Sequence, residues 1–337
     1  MFRLLIWYNF RFVKLLLVIF FFISSLKVSS QDIIDTTYSK FIKHINNFTK
    51  STTFSGSKYT DYHSGLKKAF LFNGDISYPF LIQSEYFKCK KLFYLIQIFP
   101  DIKIRIFQND TTYSDKSKPV RTPSYNPKIS FTFSHSSLWR NNRKNFYFFQ
   151  FNLLHHSNGQ DGWEFSYPDS IVNLYNGSFS ETLYFQYYLG MYKKTNFKKD
   201  QHFYFKTGFE WHPSYLSNIK LSQSNLYAGN RWLNDFQYSI SKKYKDNFFE
   251  KHRFTLNFEY ITDLTYYSGN LKIKNKIDLF NLSKRMNIQL TYIYTLLKTK
   301  ALAIFMQTAY YGSDSYNIYF QQSFYVARIG LALGQFY

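Results

Sequence analysis

The stretch RFTLNFEY, residues 253 to 260, alternates strictly between polar and apolar side chains. Successive side chains of an extended strand point to opposite faces, so this stretch has one apolar face and one polar face. The apolar face holds Phe254, Leu256, Phe258 and Tyr260, and the polar face holds Arg253, Thr255, Asn257 and Glu259. The pattern predicts a β-strand that lies against an apolar environment on one side.

The same alternation recurs at residues 102–107, 286–296 and 324–337. A soluble β-sandwich also alternates, but its strands are usually only ~5–6 residues long. The apolar stripes here run roughly 9–11 residues, the length of a tilted transmembrane strand. The sequence therefore predicts an all-β fold, an antiparallel transmembrane β-barrel of the outer-membrane type, with apolar side chains outside and Lys, Arg, Glu and Gln inside.

Composition excludes several other classes. Aromatic residues make up 23% of the 337 residues, while Gly and Pro number only 13 and 7, which excludes disorder, collagen and coiled coil as overall classes. The mean hydropathy of -0.35 argues against a bundle of membrane-spanning helices. Cys89 is the only cysteine, so no disulfide can form within the chain.

The N-terminal residues predict export. Arg3, Arg11 and Lys14 precede the apolar run 15–23, and Val28 and Ser30 stand at the spacing that a signal peptidase reads, so we expect residues 1–30 to be a signal peptide. Residues 31–66 are expected to form a partly ordered lead, and residues 67–337 the barrel. An uncleaved anchor is the alternative, although the apolar run is short for one.

The chain is strongly basic, with a net charge of +21. After export the nearest polyanions are lipid phosphates and lipopolysaccharide rather than nucleic acid, so we expect contact with lipopolysaccharide. Codon usage that favours lysine explains the same excess equally well.

The stretch FYFFQFNLLHHSNGQDG, residues 146–162, runs an apolar strand into polar residues. Alternation puts His155 and Ser157 on the bilayer-facing side with Tyr147, Phe149, Phe151 and Leu153, and puts His156 on the opposite side. A histidine two residues from a serine on one face can take the serine proton and make the hydroxyl a nucleophile. Such a pair needs a group that orients the imidazole, and Asn173 in DSIVNLY is the nearest downstream candidate. The alternative is a polar strand end that leads into an S-N-G turn.

Three segments together carry a family resemblance. HHSNG followed by IVNLY, the upstream SKPVRTPSYNP at 117–127 and the closing ARIGLALGQFY resemble motifs of the bacterial outer membrane phospholipase A family. The resemblance implies a barrel of about twelve strands in the outer membrane, active as a homodimer on phospholipids. It also implies that His155 is the base, Ser157 the nucleophile and Asn173 the orienting residue, with the Gly159 amide in the oxyanion hole.

The same resemblance implies a calcium site. Its ligands would be Ser117 from the partner subunit, the backbone carbonyl of Gln160, and Asp169, with Ser166 or Ser170 as alternatives to Asp169. Three positions depart from the family pattern: Gln160 and Leu174 stand where the family has Arg, and Val172 where it has Trp.

Two functions from different classes remain open on the sequence. One is hydrolysis of phospholipid acyl esters, which requires chemistry on the outer face and a filled interior. The other is a porin or structural barrel, which requires a water-filled lumen. Inward bulk at Tyr184, Tyr188, Tyr204 and Arg253 favours the filled interior.

Overall fold

The computed structural model describes most of the chain from residue 53 onward, and all of the described residues belong to one unit, Lys40–Tyr337. The predicted signal peptide lies outside them. Within the described part, no helix is long and apolar enough to cross a membrane. The described ranges are 53–55, 58–60, 67–77, 80–87, 92–107, 120–135, 145–158, 165–166, 171–172, 180–196, 201–213, 230–244, 247–268, 273–296, 302–313 and 323–333.

The described residues form twenty strands and one short helix, α1 (Leu282–Arg285). The strands are β1 (Thr53–Ser55), β2 (Lys58–Thr60), β3 (Lys67–Ser77), β4 (Phe80–Phe87), β5 (Leu92–Phe99), β6 (Asp101–Phe107), β7 (Val120–Tyr125), β8 (Lys128–His135), β9 (Asn145–Asn158), β10 (Phe165–Ser166), β11 (Ile171–Val172), β12 (Ser180–Asn196), β13 (Gln201–Trp211), β14 (Arg231–Tyr244), β15 (Asn247–Ile261), β16 (Thr265–Ser268), β17 (Ile273–Lys276), β18 (Met286–Thr295), β19 (Leu302–Tyr311) and β20 (Phe324–Leu333). Two hairpins, β10–β11 and β16–β17, form separate two-stranded sheets.

Several neighbouring strands are halves of one longer strand. β7 and β8 both pair with β9 in one continuous register, from Ser124↔Asn158 to Lys128↔Leu154. β5 and β6 likewise pair with β8 and β7, and β4 and β3 with β5 and β6, with the register kept across each break and shifted by one residue within β3, β4 and β6. Each interval contains a proline: Pro79, Pro100 or Pro127. Because proline has no N–H, it cannot donate to the hydrogen-bond ladder, which explains why the strand is interrupted there. With β1 and β2 as a fourth broken strand on β3, the main sheet has twelve strands.

The pairings of these twelve strands follow a circuit that returns to its start. Each strand pairs antiparallel with the next along the chain, β9 pairs with β12 over its full length, and β20 pairs with β1. We call the junction between β20 and β1 the seam. It has the fewest paired residues of the described circuit, since only Thr53–Ser55 pair there with Gly330 to Arg328. The predicted all-β antiparallel class with about twelve strands is confirmed.

Two of these strands lie before residue 67, where the change in sequence texture predicted the barrel to begin. β1 and β2 are three residues each and are separated by Gly56 and Ser57. Strands this short do not display an alternating stripe, which explains why the sequence pattern missed them. The circuit needs β1 because it pairs with both β20 and β3, while β2 extends the pairing on β3.

Side chains alternate along the strands as predicted. In β18 and β19, Leu290 and Met306 are 49% and 53% exposed, whereas Thr291 and Gln307 are 0% and 4% exposed. In β15, Arg253 is 1% exposed beside Phe254 at 43%. β5 departs from this pattern, because its residues from Phe93 to Gln97 are buried on both faces. The apolar stripe is therefore on the outside of the sheet and the polar stripe on the inside.

Polar side chains on the inside are bonded to one another in two levels, or tiers. The upper tier lies nearer the end of the barrel at which β9 finishes, and the lower tier lies nearer the opposite end. The upper tier joins β9 to β18: Asn152 Nδ2 donates to Gln186 Oε1 at 3.0 Å, and Gln186 Nε2 to Glu210 Oε2 at 2.7 Å. Arg231 continues it between Glu210 and Glu259, at 3.4 and 3.1 Å. Asn287 Nδ2 then donates to Glu259 Oε2 at 3.1 Å.

The lower tier covers more of the circumference. Its ion pairs are Lys206 with Asp235 at 3.2 Å and Arg328 with Asp75 at 3.0 Å. Between them, Asn257 donates to Asp235, Gln289 to Asn257, and Gln307 to Thr291, while Arg328 donates to Gln307. Because Arg328 lies on β20 and Asp75 on β3, their ion pair spans the narrow seam at β1.

Aromatic side chains pack the inside below these tiers. Phe146 contacts Phe93 and Phe148 at ring-centroid distances of 5.8 and 6.4 Å, and Phe148 stacks on Tyr204 at 5.6 Å. Tyr188 and Tyr184 are buried higher up, where Tyr184 stacks on His212 at 4.4 Å. The inward positions predicted for Tyr184, Tyr188 and Arg253 are confirmed.

The two ends of the barrel differ in the length of their connections. At one end the intervals between strands are short, such as 88–91, 197–200 and 245–246. At the other end they are long, such as 159–179 and 212–230. We call them the short-turn end and the long-loop end. His155 and Ser157 lie at the long-loop end, since β9 runs toward it and ends at Asn158.

The seam ion pair makes a prediction about stability. Arg328→Met removes the buried cation and leaves the half-buried Asp75 without it; breaking a fully buried pair typically costs ~3–5 kcal/mol, and the partial exposure of Asp75 places the expected cost at or below the lower end of that range. We expect a matching drop in the free energy of unfolding, measured by urea unfolding in detergent micelles. Lys193→Met, at an exposed position, is the control and should change stability by less than ~0.5 kcal/mol. Equal stability of the two variants would contradict a seam held by Arg328.

Candidate functional site

His155 and Ser157 lie on the outer face of β9 near its end. Both side chains are half-buried. Leu154, which precedes them, and His156, which lies between them, are buried on the inner face. The outer stripe continues downward through Leu153 and Phe151 to Phe149 and Tyr147, which are 39% and 38% exposed. The outward face predicted for this pair is therefore the one the structure gives it.

The register around β9 brings two distant sequence motifs together. Tyr125, in the SYNP motif of β7, pairs directly with Ser157, and on the other side Leu183 of β12 pairs with His155. The His155 N–H donates to the Pro127 carbonyl at 3.0 Å. Because proline has no N–H, this pair has only one of the two hydrogen bonds of an antiparallel pair, and the ladder offers no donor to the His155 carbonyl there. The backbone of the SYNP motif is therefore the hydrogen-bonding neighbour of the segment that carries His155 and Ser157.

The histidine and serine side chains are neighbours on one face, two residues apart. Within the described residues, no hydrogen bond joins the His155 ring to the Ser157 hydroxyl. Hydrogen bonds of catalytic pairs are often long in the absence of substrate and tighten when it binds. The arrangement puts an imidazole and a hydroxyl side by side on the outer face of β9, next to apolar side chains.

A second serine–histidine pair lies directly behind, inside the barrel. His156 Nε2 and Ser124 Oγ are 2.9 Å apart, and Asn126 Nδ2 donates to Ser124 Oγ at 2.9 Å. All three side chains are at most 7% exposed. Sequence reasoning missed this cluster, although the SYNP motif and the alternation of β9 contained both halves. Because it is closed off from the surface, it joins β7 to β9 rather than offering a nucleophile.

Exposed aromatic side chains recur at the long-loop end of several strands, and one of them, Tyr125, lies beside Ser157. Tyr125, Trp211 and Trp232 are 44%, 36% and 48% exposed on the outside at the long-loop end, and Tyr325 is 74% exposed there. Just below the pair, a row of rings crosses four strands. Phe151 stacks on Phe131 at 6.1 Å and on Phe185 at 5.8 Å, and Phe185 stacks on Trp211 at 5.8 Å.

The remaining predicted site residues lie outside the described residues: Ser117, Gly159, Gln160, Asp169, Ser170 and Asn173. The backbone between them is described in part. Ser166 lies on β10, which pairs with β11, and Val172 at the end of β11 directly precedes Asn173. The interval 159–179 contains Asp161, Glu164 and Asp169 and no Lys or Arg. Elsewhere in the described chain, no three His, Cys, Asp or Glu side chains cluster as a metal site would require.

Comparison with known proteins gives likeness in structure only. No protein-family model and no curated protein matches this chain. The structure of outer membrane phospholipase A from Escherichia coli is 12% identical with a TM-score of 0.44, covering 85% of this chain and 92% of that one. The Salmonella typhi outer membrane phospholipase dimer with bound calcium is 10% identical with a TM-score of 0.45, covering 85% and 90%. At this level of likeness, no active site is inferred from the comparison.

The alternation at the site can be tested by cysteine labelling. In a Cys89→Ser background, Ser157→Cys should react with a maleimide in the folded protein, and His156→Cys should react only after unfolding, because one thiol is outside and the other is buried. Phe149→Cys and Phe148→Cys form a matched pair further down the strand, and 149 should again react faster. Similar reaction rates at 156 and 157 would contradict the described face of β9.

Proposed function

We propose that this protein is an outer membrane enzyme that hydrolyses acyl ester bonds of phospholipids. The observation that carries the proposal is the place of His155 and Ser157: on the outside of the barrel, at the level of the aromatic girdle. A polar pair on a bilayer-facing surface costs free energy, so its presence there is more readily explained by function than by packing.

The outer face has the dimensions of a membrane-spanning band. Ser157 stands beside Tyr125 in the upper girdle, and Tyr147 lies ten residues below it on the same stripe. At ~3.3 Å per residue and a strand tilt of ~40°, that separation amounts to ~25 Å, the height of the apolar band of outer-membrane barrels. Leu189, Leu290 and Met306 are exposed between these levels. Long loops at one end and short turns at the other also suit this class, whose long loops are extracellular.

The reaction would follow the serine-hydrolase sequence. The Ser157 hydroxyl attacks the ester carbonyl carbon while His155 takes its proton. The tetrahedral intermediate collapses to an acyl-Ser157, and His155 returns the proton to the departing lysophospholipid alcohol. Water, activated by the same histidine, then releases the fatty acid and restores the serine.

Two further residues have roles in this proposal. Asn173 would hold the other ring nitrogen of His155, and an uncharged amide suits that task because it costs less to desolvate than a carboxylate. The Gly159 amide would donate to the developing oxyanion, which needs a donor already in place. Both lie in the interval 159–179 that follows β9 in sequence.

Calcium fits the residues expected to hold it. Ser117, the Gln160 carbonyl and Asp169, or Ser166 or Ser170 in its place, offer oxygen donors, which hard divalent cations prefer. Bound there, calcium would supply positive charge that polarises a water toward the oxyanion. Because Ser117 would come from a partner subunit, the proposal includes a homodimer as the active form.

A porin or structural barrel is the alternative function. A water-filled pore needs an open lumen, whereas the described interior carries two tiers of bonded polar side chains above packed aromatic rings. The buried Arg231 is bonded to Glu210 and Glu259 of the two neighbouring strands and lies on the inner wall at the long-loop end. The interior therefore weighs against conduction and leaves the outer face for chemistry.

Ser157→Ala tests the enzyme directly. We expect phospholipid hydrolysis by the refolded protein to fall at least about a thousandfold, since removal of the nucleophile ends acyl transfer. Barrel assembly, followed by the heat-dependent gel mobility of the folded form, should not change. The matched control is Ser124→Ala, which removes the serine bonded to a histidine inside the barrel and should retain hydrolysis if it folds. Undiminished hydrolysis in Ser157→Ala would reject the assignment.

Chelation tests the calcium and dimer parts together. Removing divalent cations should depress hydrolysis and shift the protein from dimer to monomer, measured by chemical crosslinking in detergent, because a shared ion links the two events. Ser117→Ala should lower both in the presence of calcium. Activity indifferent to chelator would remove calcium from the proposal and leave the Ser157 result standing.

A further inference from the structure

The connections at the short-turn end are basic in a way that those at the long-loop end are not. Acidic residues in the short connections are confined to Asp200 and Asp246. The five connections are KCKK (88–91), SSLWRNNRK (136–144), FKKD (197–200), KD (245–246) and LLKTKA (296–301).

The strands that lead into these turns add more positive charge. Lys193 of β12 and Lys242 of β14 are exposed, and Lys194 and Lys243 follow them. The two groups of lysines lie on strands that flank β13: Lys193 of β12 is opposite Phe203 of β13, and Phe203 is opposite Tyr238 of β14, four residues before Lys242. Basic residues thus recur around this end from strand to strand.

The long-loop end has no such excess. The interval 159–179 carries only acidic charge, and 108–119 carries two Asp and two Lys. The region 262–285, which contains β17, holds four Lys, one Arg and two Asp. The five short-turn connections hold eleven Lys and Arg against two Asp, a net charge of +9, so more of the positive charge lies at the end opposite the candidate site.

We propose that the short-turn end binds the anionic headgroups of phospholipids in the leaflet on that side. Lys and Arg at a membrane surface attract anionic lipids, and their attraction falls off within a Debye length. A ring of such residues around a barrel wall would gather anionic lipid as a shell and hold this end at its leaflet. This assignment rests on the membrane-embedded barrel of the proposed function, not on its catalysis, and it gives the excess charge a partner other than lipopolysaccharide.

The experiment uses the refolded Ser157→Ala protein, so that no lipid is consumed, in phosphatidylcholine vesicles. Electron spin resonance of spin-labelled phosphatidylglycerol and phosphatidylcholine gives the relative affinity of each lipid for the barrel. We expect a preference for phosphatidylglycerol of about threefold or more at low salt, falling toward unity in 1 M salt. Insertion is checked by heat-dependent gel mobility, and a protein that fails to insert contradicts the membrane assignment itself.

Two matched variants locate the binding end. Replacing Lys193, Lys194, Lys242 and Lys243 by Gln should abolish most of the preference. Replacing Lys220, Lys272, Lys274 and Lys276 by Gln removes the same charge from the long-loop end and should leave it intact. No preference in the parent protein, equal losses in the two variants, or a loss confined to the second would each overturn the inference.

Discussion

Backbone hydrogen bonding is the constraint on which this molecule depends. In the outer-membrane setting that we propose, a strand has no water to satisfy its amides and carbonyls, so every strand needs a partner on each side. The circuit of twelve strands meets that requirement by pairing β9 with β12 and β20 with β1. The β1 seam has the fewest backbone pairs, and there a part-buried ion pair between Arg328 and Asp75 reaches across it. Backbone hydrogen bonds and an interior ion pair thus both hold β20 to β3 across β1.

Closure of the sheet divides each strand into two chemically distinct faces. Inside, polar groups must find each other, and they do so in tiers that run from strand to strand, as Gln186, Glu210 and Arg231 illustrate. Outside, apolar side chains and aromatic girdles form the surface. β9 contains both solutions within three residues: His156 is bonded to Ser124 on the inside, while His155 and Ser157 face out.

Much of this arrangement follows from a period of two in the sequence. Alternation correctly predicted the strand class and the faces of β9, β15, β18 and β20, because in those strands burial follows whether a residue is odd or even along the strand, whereas β5 is buried on both faces. It could not predict β1 and β2, which are too short to alternate. It also gave no sign that β7 and β8 form one strand, since the break at Pro127 interrupts the pattern although the register against β9 continues across it.

Contacts between distant segments were beyond the sequence for a different reason. Nothing local relates Ser124 to His156 or Tyr125 to Ser157, because those pairs depend on the register of one strand against another. The resemblance put SYNP and HHSNG in one family pattern but gave no contact between them. For Asn173, Gly159 and the calcium ligands, the roles stay predictions, as these residues lie outside the described part of the chain.

The central claim is that Ser157 is an activated nucleophile exposed to lipid. A long-chain alkyl fluorophosphonate, which modifies only serines that a base has activated, tests it most directly on the refolded protein in a bilayer. Peptide mass spectrometry should locate the adduct on Ser157 and on no other serine. Absence of any adduct, or its appearance on Ser124 behind the wall, would contradict the account.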